Sequence, residues 1–393
     1  VRQFFASCFS TACKPFIRQV VMKEICQPGL EGAELPKAEH NMSVTKALLP
    51  GPSRLARFLE AQGERPGADF EALEAIMAGS IDSMLQAQFL ASENSRPQPK
   101  QVAAALPRGL RAQLIGWTLQ TFDVLGLEDA LVHGIALTID RFCASQEGTL
   151  PQSCLECLLL SAACIEFKND GFSEQPDGTW KRILAHMCQG RVPIIQILTK
   201  ELELLKRLQY IVGLPTPLTF LTSLGARLRM EEQAPQWLGL ASFLLELAVL
   251  DVEIQHGFSH AYLAAGSLSA SFRVCMAPAL QREELLEDVA ACWPLPGGES
   301  SKLVKCCEEE LLQLWIQCER GLSELSSYFP KLEAKFKRRF HEAVMLPPAV
   351  ALEALREERD GCEANLEGGA WQPEPEESPP NSIRIARPDR LME

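Results

Sequence analysis

Apolar residues recur at every third or fourth position along most of this chain. In the segment 70–91 the apolar positions are Phe70, Leu73, Ile76, Met77, Ile81, Met84, Leu85 and Phe89. This spacing places them on one face of a helix. From 108 to about 346 the same period continues in segments of about 10 to 20 residues, separated by short breaks rich in Gly and Pro. Strict alternation of apolar and polar residues is rare, so the pattern predicts an all-α protein.

The helical segments from 108 onwards fall into two sets of about five. The predicted helices lie near 108–126, 129–145, 152–167, 179–188, 193–209, 217–230, 236–254, 258–275, 282–292, 299–323 and 328–342. The two sets meet at the sequence YIVGLPTP, where Gly213, Pro215 and Pro217 end one set and begin the next. We therefore expect two tandem five-helix domains that follow an N-terminal helix.

Both ends of the chain lack the helical period. The head is interrupted by Pro28, Pro36, Pro50, Pro52 and Pro66, and the acidic tail contains PEPEESPPNS. Such composition predicts disorder. The expected organisation is a disordered extension over 1–69, a helix and linker over 70–107, helical domains over 108–212 and 213–346, and a C-terminal extension over 347–393. Residues 1–23 hold four basic and no acidic residues, which fits either a transit-type peptide or, as we favour, a truncated disordered end.

The overall charge argues against two classes of partner. The 393 residues carry a formal net charge of −13, with a pI near 5.1. Nucleic acids and anionic membranes bind surfaces with clustered Lys and Arg, so we expect neither as a partner. The best local basic patch is KLEAKFKRRFH over 331–341, which we interpret as the solvated face of a terminal helix. No apolar run approaches the length of a transmembrane helix.

No enzyme motif is present in the sequence, and we expect neither catalytic residues nor a cofactor. The 14 cysteines lack regular spacing and are interpreted as reduced thiols of an intracellular protein. Cys154 and Cys157 form a CxxC pair without a second pair at zinc spacing, which favours buried thiols over a metal site. His256 and His260 have a metal-compatible spacing, but their place at a helix junction favours a solvated pair.

Arg111 is unexpected because it lies inside the apolar stretch LRAQLIGW, 110–117. A buried guanidinium needs a carboxylate partner, because an unpaired buried charge is very costly. Asp140 lies in a similarly apolar setting on the next predicted helix. Two such charges of opposite sign favour one buried ion pair that fixes the packing of the two helices. The alternative, in which each side chain reaches water separately, stays open.

Three stretches of the chain resemble the cyclin family. LRAQLIGWTLQTFDVLGL followed by ALTIDRF is similar to the start of the cyclin box, where Met-Arg-Ala-Ile-Leu-Val-Asp-Trp opens the first helix and Asp-Arg-Phe closes the second. ELELLKRLQYIVGLPTPLTFL resembles the family's Glu-x-x-Ile-Leu segment that runs into Pro-Thr-Pro-x-x-Phe-Leu. FLLELAVLDVEI and AYLAAGSLSAS resemble the second box. The resemblance covers roughly 75–350 and is strongest for the A- and B-type mitotic cyclins.

The resemblance implies a regulatory subunit that is not an enzyme and that binds a cyclin-dependent kinase through its first box. The family's kinase contact uses a Lys near the end of the third box helix and a Glu near the start of the fifth. Glu201 matches the Glu. For the Lys, one alignment gives Cys164, a gap-free alignment gives Glu166, and the nearest lysine is Lys168, where the inserted loop KNDGFSEQPDG begins. Either Lys168 substitutes, or kinase binding is weak.

The resemblance also implies a groove for Arg-x-Leu docking peptides of substrates or inhibitors. The positions that correspond to this groove are Leu110, Gln113, Leu114, Trp117, Gln120 and Gln152. Gln113 replaces an apolar Ile and Gln120 replaces an acid, so we expect weaker or altered peptide binding.

The leading expectation is therefore a kinase-activating cyclin of cell-cycle control, located in the nucleus and cytoplasm. The alternative is a cyclin-fold scaffold that acts only through protein contacts and does not activate a kinase. The missing lysine and the altered groove favour this alternative. A third class, a promoter-binding member of the same fold, conflicts with the negative charge.

Overall fold

The structure is a computed structural model, and it describes residues 68–170, 179–228, 235–276, 279–293, 299–339 and 347–367. The predicted disordered head and acidic tail lie almost entirely outside the described residues, as does most of the inserted loop. The chain divides into two compact units, 1–352 and 353–393. The first contains almost all of the helices, and the second begins within the last helix.

Every regular element in the described part of the chain is helical, so the all-α prediction is confirmed. The α-helices are α1 Ala68–Ser95, α2 Pro99–Ala105, α3 Arg108–Leu125, α4 Asp129–Ala144, α5 Leu155–Asn169, α6 Thr179–Cys188, α7 Ile194–Arg207, α8 Pro217–Arg227, α9 Pro235–Ala248, α10 Val252–Gly257, α11 His260–Val274, α12 Ala279–Cys292, α13 Ser300–Glu319, α14 Phe329–Arg339 and α15 Pro348–Glu367. Short 3-10 turns cover Gln152–Cys154 and Glu324–Ser327. None of these described helices is long and apolar enough to cross a bilayer.

The helices from 108 to 207 pack around α5. Eleven of its fifteen residues are buried, from Leu155 to Phe167, and the helix contacts α4, α6 and α7. The rings of Phe122 on α3 and Phe167 on α5 stack with their centroids 5.9 Å apart. The continuous apolar composition of α5 is explained by this position, because a helix surrounded by other helices has no polar face to present to water.

The helices after 217 pack around α11, all of whose residues are buried. It contacts α8, α9, α12 and α13, and a Cβ atom at Gly266 would overlap Cys307 of α13. A buried ion pair joins the same two helices: Arg273 Nε donates to Glu308 Oε1 at 2.5 Å. The division of the chain at 212 and 213 into two domains stays a prediction.

The predicted helix 236–254 is in fact two helices, α9 and α10. Leu250 and Asp251 lie between them, and the Asp251 carboxylate accepts hydrogen bonds from the backbone N–H groups of Glu253 at 2.8 Å and Ile254 at 3.3 Å. Asp251 therefore caps a new helix instead of interrupting an apolar face, because these N–H groups have no partner within the helix. The short helix α2 within the predicted linker is a second difference.

The interpretation of 331–341 as a solvated face is wrong for its central lysine. Lys335 on α14 is buried, and its ammonium donates to Asp129 at 2.5 Å and to Glu246 at 2.7 Å. Asp129 begins α4 and Glu246 lies in α9, so α14 is tied by charge to both helical sets. Lys337, two residues further, is exposed as expected.

Candidate functional site

A buried ion pair joins α3 and α4. Arg111 Nε donates to Asp140 Oδ1 at 2.7 Å, Arg111 Nη2 donates to Oδ2 at 2.6 Å, and both side chains are fully buried. Arg111 Nη1 donates to the carbonyls of Val249 at 2.8 Å and Leu250 at 3.2 Å. Burial alone would raise the pKa of the Asp140 carboxyl, but Arg111 and His256 hold this pKa at about 2. One arginine therefore fixes the relative position of α3, α4 and the end of α9.

Two buried histidines extend this pair, and the expectation of a solvated pair is wrong. His256 Nε2–H donates to Asp140 Oδ2 at 2.7 Å, and His260 Nε2 lies 3.4 Å from His256 Nδ1. His260 Nδ1 lies 3.1 Å from Ser92 Oγ and 3.2 Å from the Pro215 carbonyl oxygen, and the contact with Ser92 brings α1 into the same network. Burial lowers the pKa of both rings, that of His260 to about 3, so both are neutral near pH 7. The sequence signal that could have indicated this was the helical spacing of two histidines beside apolar residues.

Glu201 and Lys168 form an ion pair between α7 and α5. The Lys168 ammonium donates to both Glu201 carboxylate oxygens, at 2.6 and 2.8 Å. The Glu201 side chain is 8% exposed and that of Lys168 is 36% exposed. Lys168 also lies over the ring of Trp180 on α6, 5.3 Å from its centroid. Of Cys164, Glu166 and Lys168, the residue that places a positive charge next to the Glu201 carboxylate is Lys168.

Cys164 contacts the same carboxylate from one helical turn earlier on α5. Its Sγ–H donates to Glu201 Oε2 at 3.3 Å, and the residue is fully buried. Burial and the Glu201 charge raise the pKa of the Cys164 thiol to about 12, so this group is neutral. Residues four apart share a helix face, which explains why Cys164 and Lys168 both reach Glu201.

Glu166 lies apart from this cluster. It is buried toward α4, where its carboxylate accepts a hydrogen bond from Thr138 Oγ1 at 2.8 Å. A Cβ atom at Gly134 would overlap this carboxylate, so the small residue makes room for it. Burial raises the pKa of Glu166 to about 7. This side chain belongs to the packing of α4 and α5, not to the Glu201 cluster.

One side of α7 exposes apolar side chains beside Glu201. The buried residues of this helix are Ile197, Glu201 and Leu204. Adjacent positions on the helix remain exposed: Ile194 44%, Ile195 67%, Leu198 36% and Leu202 46%. We call this surface, formed by Ile194, Ile195, Leu198 and Leu202, the α7 apolar surface.

The chain that follows α7 exposes two more large residues, Tyr210 at 61% and Ile211 at 49%. Gln209 and Tyr210 have φ angles of 54° and 60°, a left-handed conformation that is unfavourable for residues other than glycine. Arg141 Nη1 donates to the Ile211 carbonyl at 2.6 Å and holds this segment against α4.

The six groove positions are only partly brought together. Leu114 and Trp117 are buried, Leu110 is partly exposed, and Gln113 is exposed on the same helix. Gln120 Oε1 accepts a hydrogen bond from Lys331 of α14, a contact that the sequence did not indicate. The sixth position, the exposed Gln152, opens the 3-10 turn before α5. A peptide groove at these positions stays a prediction.

The CxxC cysteines differ from the expected buried thiols. Cys154 and Cys157 are both partly exposed, and the Cys154 Sγ–H donates to the Pro151 carbonyl at 2.9 Å. Cys164, one turn after Ser161 and Leu160, is buried as expected. Across the described ranges there is no group of three or more His, Cys, Asp or Glu residues that could hold a metal ion.

The chain is similar in sequence to a cyclin. It is 26% identical over 165 residues to the G2/mitotic-specific cyclin-B1 of Xenopus laevis, a match that covers 42% of this chain and 39% of the relative. The chain thus spans about two fifths of the length of this relative. No family model matches the chain.

Two solved structures match this chain with TM-scores below 0.5. One is a viral cyclin from herpesvirus saimiri, with a TM-score of 0.47 and 14% identity over 60% of this chain and 97% of that structure. The other is a chain in the CAK complex of Chaetomium thermophilum bound to ATP-γ-S, with a TM-score of 0.39 and 16% identity over 75% of this chain and 93% of that one.

Two observations bear on the class of protein, the sequence match and the helical architecture. The described residues are all-α, and a buried Arg–Asp pair joins α3 to α4 in the region that resembles a cyclin box. The chain is similar in sequence to a mitotic cyclin over 42% of its length.

Proposed function

We propose that this chain is a cyclin-type regulatory subunit that binds and activates a cyclin-dependent Ser/Thr protein kinase in cell-cycle control. The observation that carries the proposal is the α7 apolar surface beside Glu201. Glu201 is the residue that matches the family's kinase contact, and the apolar surface lies on the same helix. The sequence similarity to a mitotic cyclin supports the same function.

The exposed side of α7 has the chemistry of a binding surface. Helix α7 packs against α5, and its buried apolar residues are Ile197 and Leu204. The exposed part carries three leucine or isoleucine side chains within two turns, Ile195, Leu198 and Leu202. A contiguous apolar patch bordered by charged groups is typical of a protein contact. A helix of the partner is the element that such a surface fits best, because helices pack by interlocking side-chain rows.

Activation would follow from this contact. In protein kinases the catalytic Lys–Glu ion pair forms only when the helix that carries the Glu moves inward. A cyclin that packs its α7 apolar surface against that helix would favour the inward position and, with it, the ordered activation segment. The chain's own residues would bind and position the kinase helix without taking part in phosphoryl transfer.

Substitution in the α7 apolar surface tests this proposal. With the full chain and a panel of purified cyclin-dependent kinases, the parent protein should bind at least one kinase and raise its activity on a protein substrate. Leu198→Glu and Leu202→Glu should each weaken binding more than tenfold, because a charge would be buried in the contact. Leu90→Glu is the control, since Leu90 is 61% exposed on α1, far along the chain from α7. Unchanged binding by both α7 variants would contradict the proposal.

The second candidate function is a cyclin-fold interaction scaffold that does not activate a kinase. The neutral, buried Cys164 at one of the aligned lysine positions favours it. In that case Cys164→Lys should create kinase binding that the parent lacks. Strong binding and activation by the parent protein would rule out the scaffold.

The proposal includes the docking of Arg-x-Leu peptides at Leu114 and Trp117. It also includes residence of the protein in the nucleus and cytoplasm. Gln113, on the same helix as Leu114 and Trp117, is exposed. Replacing it with Ile should tighten the binding of a synthetic Arg-x-Leu peptide roughly tenfold if the groove exists, because one polar group is replaced by apolar area. Calorimetric titration of the parent and Gln113→Ile with this peptide measures the difference, and imaging of the tagged full chain in cells locates the protein.

A further inference from the structure

We infer that Cys154 and Cys157 are a modification site at which a reversible disulfide forms by exchange with glutathione disulfide. The two cysteines lie at the start of α5 in a CxxC sequence that the proposed function does not use. The inference stands apart from the proposed function, because its test needs no kinase.

The backbone places the two cysteines at a distance that a disulfide spans. Cys154 ends the 3-10 turn, and Cys157 lies in the first turn of α5. Leu155, between them, has helical φ and ψ angles of −66° and −38°. Two Cα atoms three residues apart on a helix are separated by about 5 Å. Cα atoms joined through a disulfide usually lie about 4.4–6.8 Å apart, so rotation of the two side chains is enough to form the bond.

Neither thiol is held strongly in its present position. Cys154 Sγ–H donates to the Pro151 carbonyl at 2.9 Å, and Cys157 Sγ–H donates to the Gln196 carbonyl of α7 at 3.6 Å. A thiol is a weak hydrogen-bond donor, so little is lost when either side chain turns toward the other.

A surface cavity of about 290 Å³ gives small molecules access to one of the two thiols. The cavity is lined by Cys157, Ile195, Gln196, Thr199, Lys200 and Glu203. Cys154 and Cys157 are both partly exposed, whereas Cys143, the cysteine that precedes them in the chain, is fully buried. Because Cys157 lines the cavity, it is the thiol that reacts first with a molecule from solution.

One cation acts on both thiols. Burial raises the pKa of Cys154 and of Cys157, and the positive charge of Lys200 opposes this shift at each of them. The Lys200 ammonium donates to Glu203 Oε1 at 2.8 Å, which places it at the wall of the same cavity. Since the thiolate is the reactive form, exchange should be slow near pH 7 and faster as the pH rises.

The exchange takes two steps. The Cys157 thiolate attacks one sulfur of glutathione disulfide, which forms a Cys157–glutathione disulfide and releases one glutathione thiolate. The Cys154 thiolate then attacks the Cys157 sulfur, which forms the Cys154–Cys157 bond and releases the second glutathione thiolate. The cysteine pair gives up two electrons and two protons, and the two glutathione molecules take them up. An excess of reduced glutathione drives both steps backwards.

The full chain, equilibrated without oxygen at about pH 8 in mixtures of reduced glutathione and glutathione disulfide, tests the inference. Free thiols are alkylated, disulfides are reduced, and the released thiols are alkylated with a second reagent, so that mass spectrometry assigns the state of each cysteine. In excess glutathione disulfide, Cys154 and Cys157 should be oxidised together, and the unreduced peptide that contains them should lack two hydrogens and carry no glutathionyl group on either. In excess reduced glutathione, both thiols should return.

Two variants accompany the parent protein. Cys154→Ser removes the thiol of the second step, so it should retain at least about tenfold more glutathionyl group on Cys157 than the parent does. Cys306→Ser is the control, because Cys306 is an exposed thiol on α13 and its loss should leave the oxidation of the pair unchanged.

The measurement on the parent protein decides the inference even if Cys154→Ser does not fold. Thiols that stay free in excess glutathione disulfide would overturn it. So would glutathionyl groups that remain on both cysteines, or a disulfide that joins Cys154 to Cys143 instead.

Discussion

Arg111 shows how a charged residue is accommodated in the interior of this molecule. A guanidinium has five N–H donors, and four hydrogen bonds here reach Asp140 and the carbonyls of Val249 and Leu250. The two carbonyls lie at the end of a helix, where backbone acceptors lack partners within the helix. The arginine on α3 thus supplies donors to α4 and to the residues that follow α9. Its loss would leave a buried carboxylate and two carbonyls unsatisfied.

Replacing this arginine should damage folding. We expect Arg111→Ala to lower the free energy of unfolding by about 3–5 kcal/mol, because Asp140 stays buried without its partner. Urea denaturation followed by circular dichroism measures the change. Arg108→Ala is the control: its ion pair with Glu253 is exposed, so the loss should stay within about 1 kcal/mol. An Arg111→Ala protein as stable as the parent would show that the pair contributes nothing.

His133 provides a test of pH dependence at a single residue. The ring is fully buried on α4, and within the described residues neither ring nitrogen has a hydrogen-bond partner. Burial lowers its pKa to about 4, a shift that Asp129 opposes and Lys335 reinforces. The unfolded chain takes up a proton near pH 6.5 but the folded protein does not. Stability from the neutral ring is therefore complete above that pH and is lost as the pH falls from about 6.5 toward 4.

His133→Leu should remove this dependence. At pH 5 the variant should be roughly 2 kcal/mol more stable relative to the parent than it is at pH 7.5, since a shift of one pKa unit corresponds to about 1.4 kcal/mol. Denaturation of both proteins at the two pH values measures the difference. His186→Leu, a change at a partly exposed ring on α6, controls for a general effect of losing a histidine. Parallel pH profiles for parent and His133→Leu would contradict the assignment.

At the scale of elements, the period of apolar residues was sufficient to locate the helices but not all of their ends. Apolar residues continue on both sides of the break after α9 in the run from 236 to 254, so their spacing does not mark the break. The break depends on Asp251, whose carboxylate caps α10. An Asp in an apolar run is compatible with a helix interior or with a cap, and only the three-dimensional path of the chain decides between them.

Asp251→Ala should show what the cap contributes. The two N–H groups of Glu253 and Ile254 would lose their acceptor, so we expect a loss of about 1 kcal/mol in the free energy of unfolding. Asp251→Ser, which keeps a capping oxygen, should recover most of it. Chemical denaturation of the three proteins side by side provides the measurement, and equal stability of the Ala and Ser variants would mean that the side chain does not act as a cap.

At the candidate site, the sequence predicted only some of the contacts between helices. The sequence indicated Arg111 and Asp140 as partners because each is a charged residue within an apolar stretch of a predicted helix. It could not identify His256 as a third member, because the contact of its ring with Asp140 joins residues 116 positions apart in the chain. The sequence also left Cys164, Glu166 and Lys168 as alternatives for the position of the kinase-contact lysine. A sequence alignment does not show which face of the helix each residue occupies. Helix geometry separates them: Cys164 and Lys168 share a face directed at Glu201, while Glu166 faces α4.

At the scale of the whole molecule, charged contacts join the helices before 207 to those after 217. Arg111 reaches the end of α9, and Lys335 of α14 donates to Asp129 of α4 and Glu246 of α9. Residues 1–352 accordingly form one compact unit. Since the kinase-binding surface proposed here lies on α7, its rigidity depends on contacts made by helices far along the chain. We therefore expect the helices from α2 to α14 to unfold in a single cooperative transition.

Lys335→Ala should weaken this coupling. The substitution leaves Asp129 and Glu246 without their shared cation, and we expect a loss of about 3–5 kcal/mol in the free energy of unfolding. The calorimetric transition should also broaden or split, because the two helical sets would no longer be joined by this buried contact. Differential scanning calorimetry measures both effects.

The matched control for this substitution lies on the same helix. Lys337 is 62% exposed and pairs only with Glu333 one turn away, so Lys337→Ala should change stability by less than about 0.5 kcal/mol and keep one sharp transition. If Lys335→Ala also melts in one sharp transition at the parent temperature, the buried ion cluster does not couple the helical sets. The contacts of Arg111 with the carbonyls of Val249 and Leu250 would then carry the coupling, and Arg111→Ala should split the transition instead.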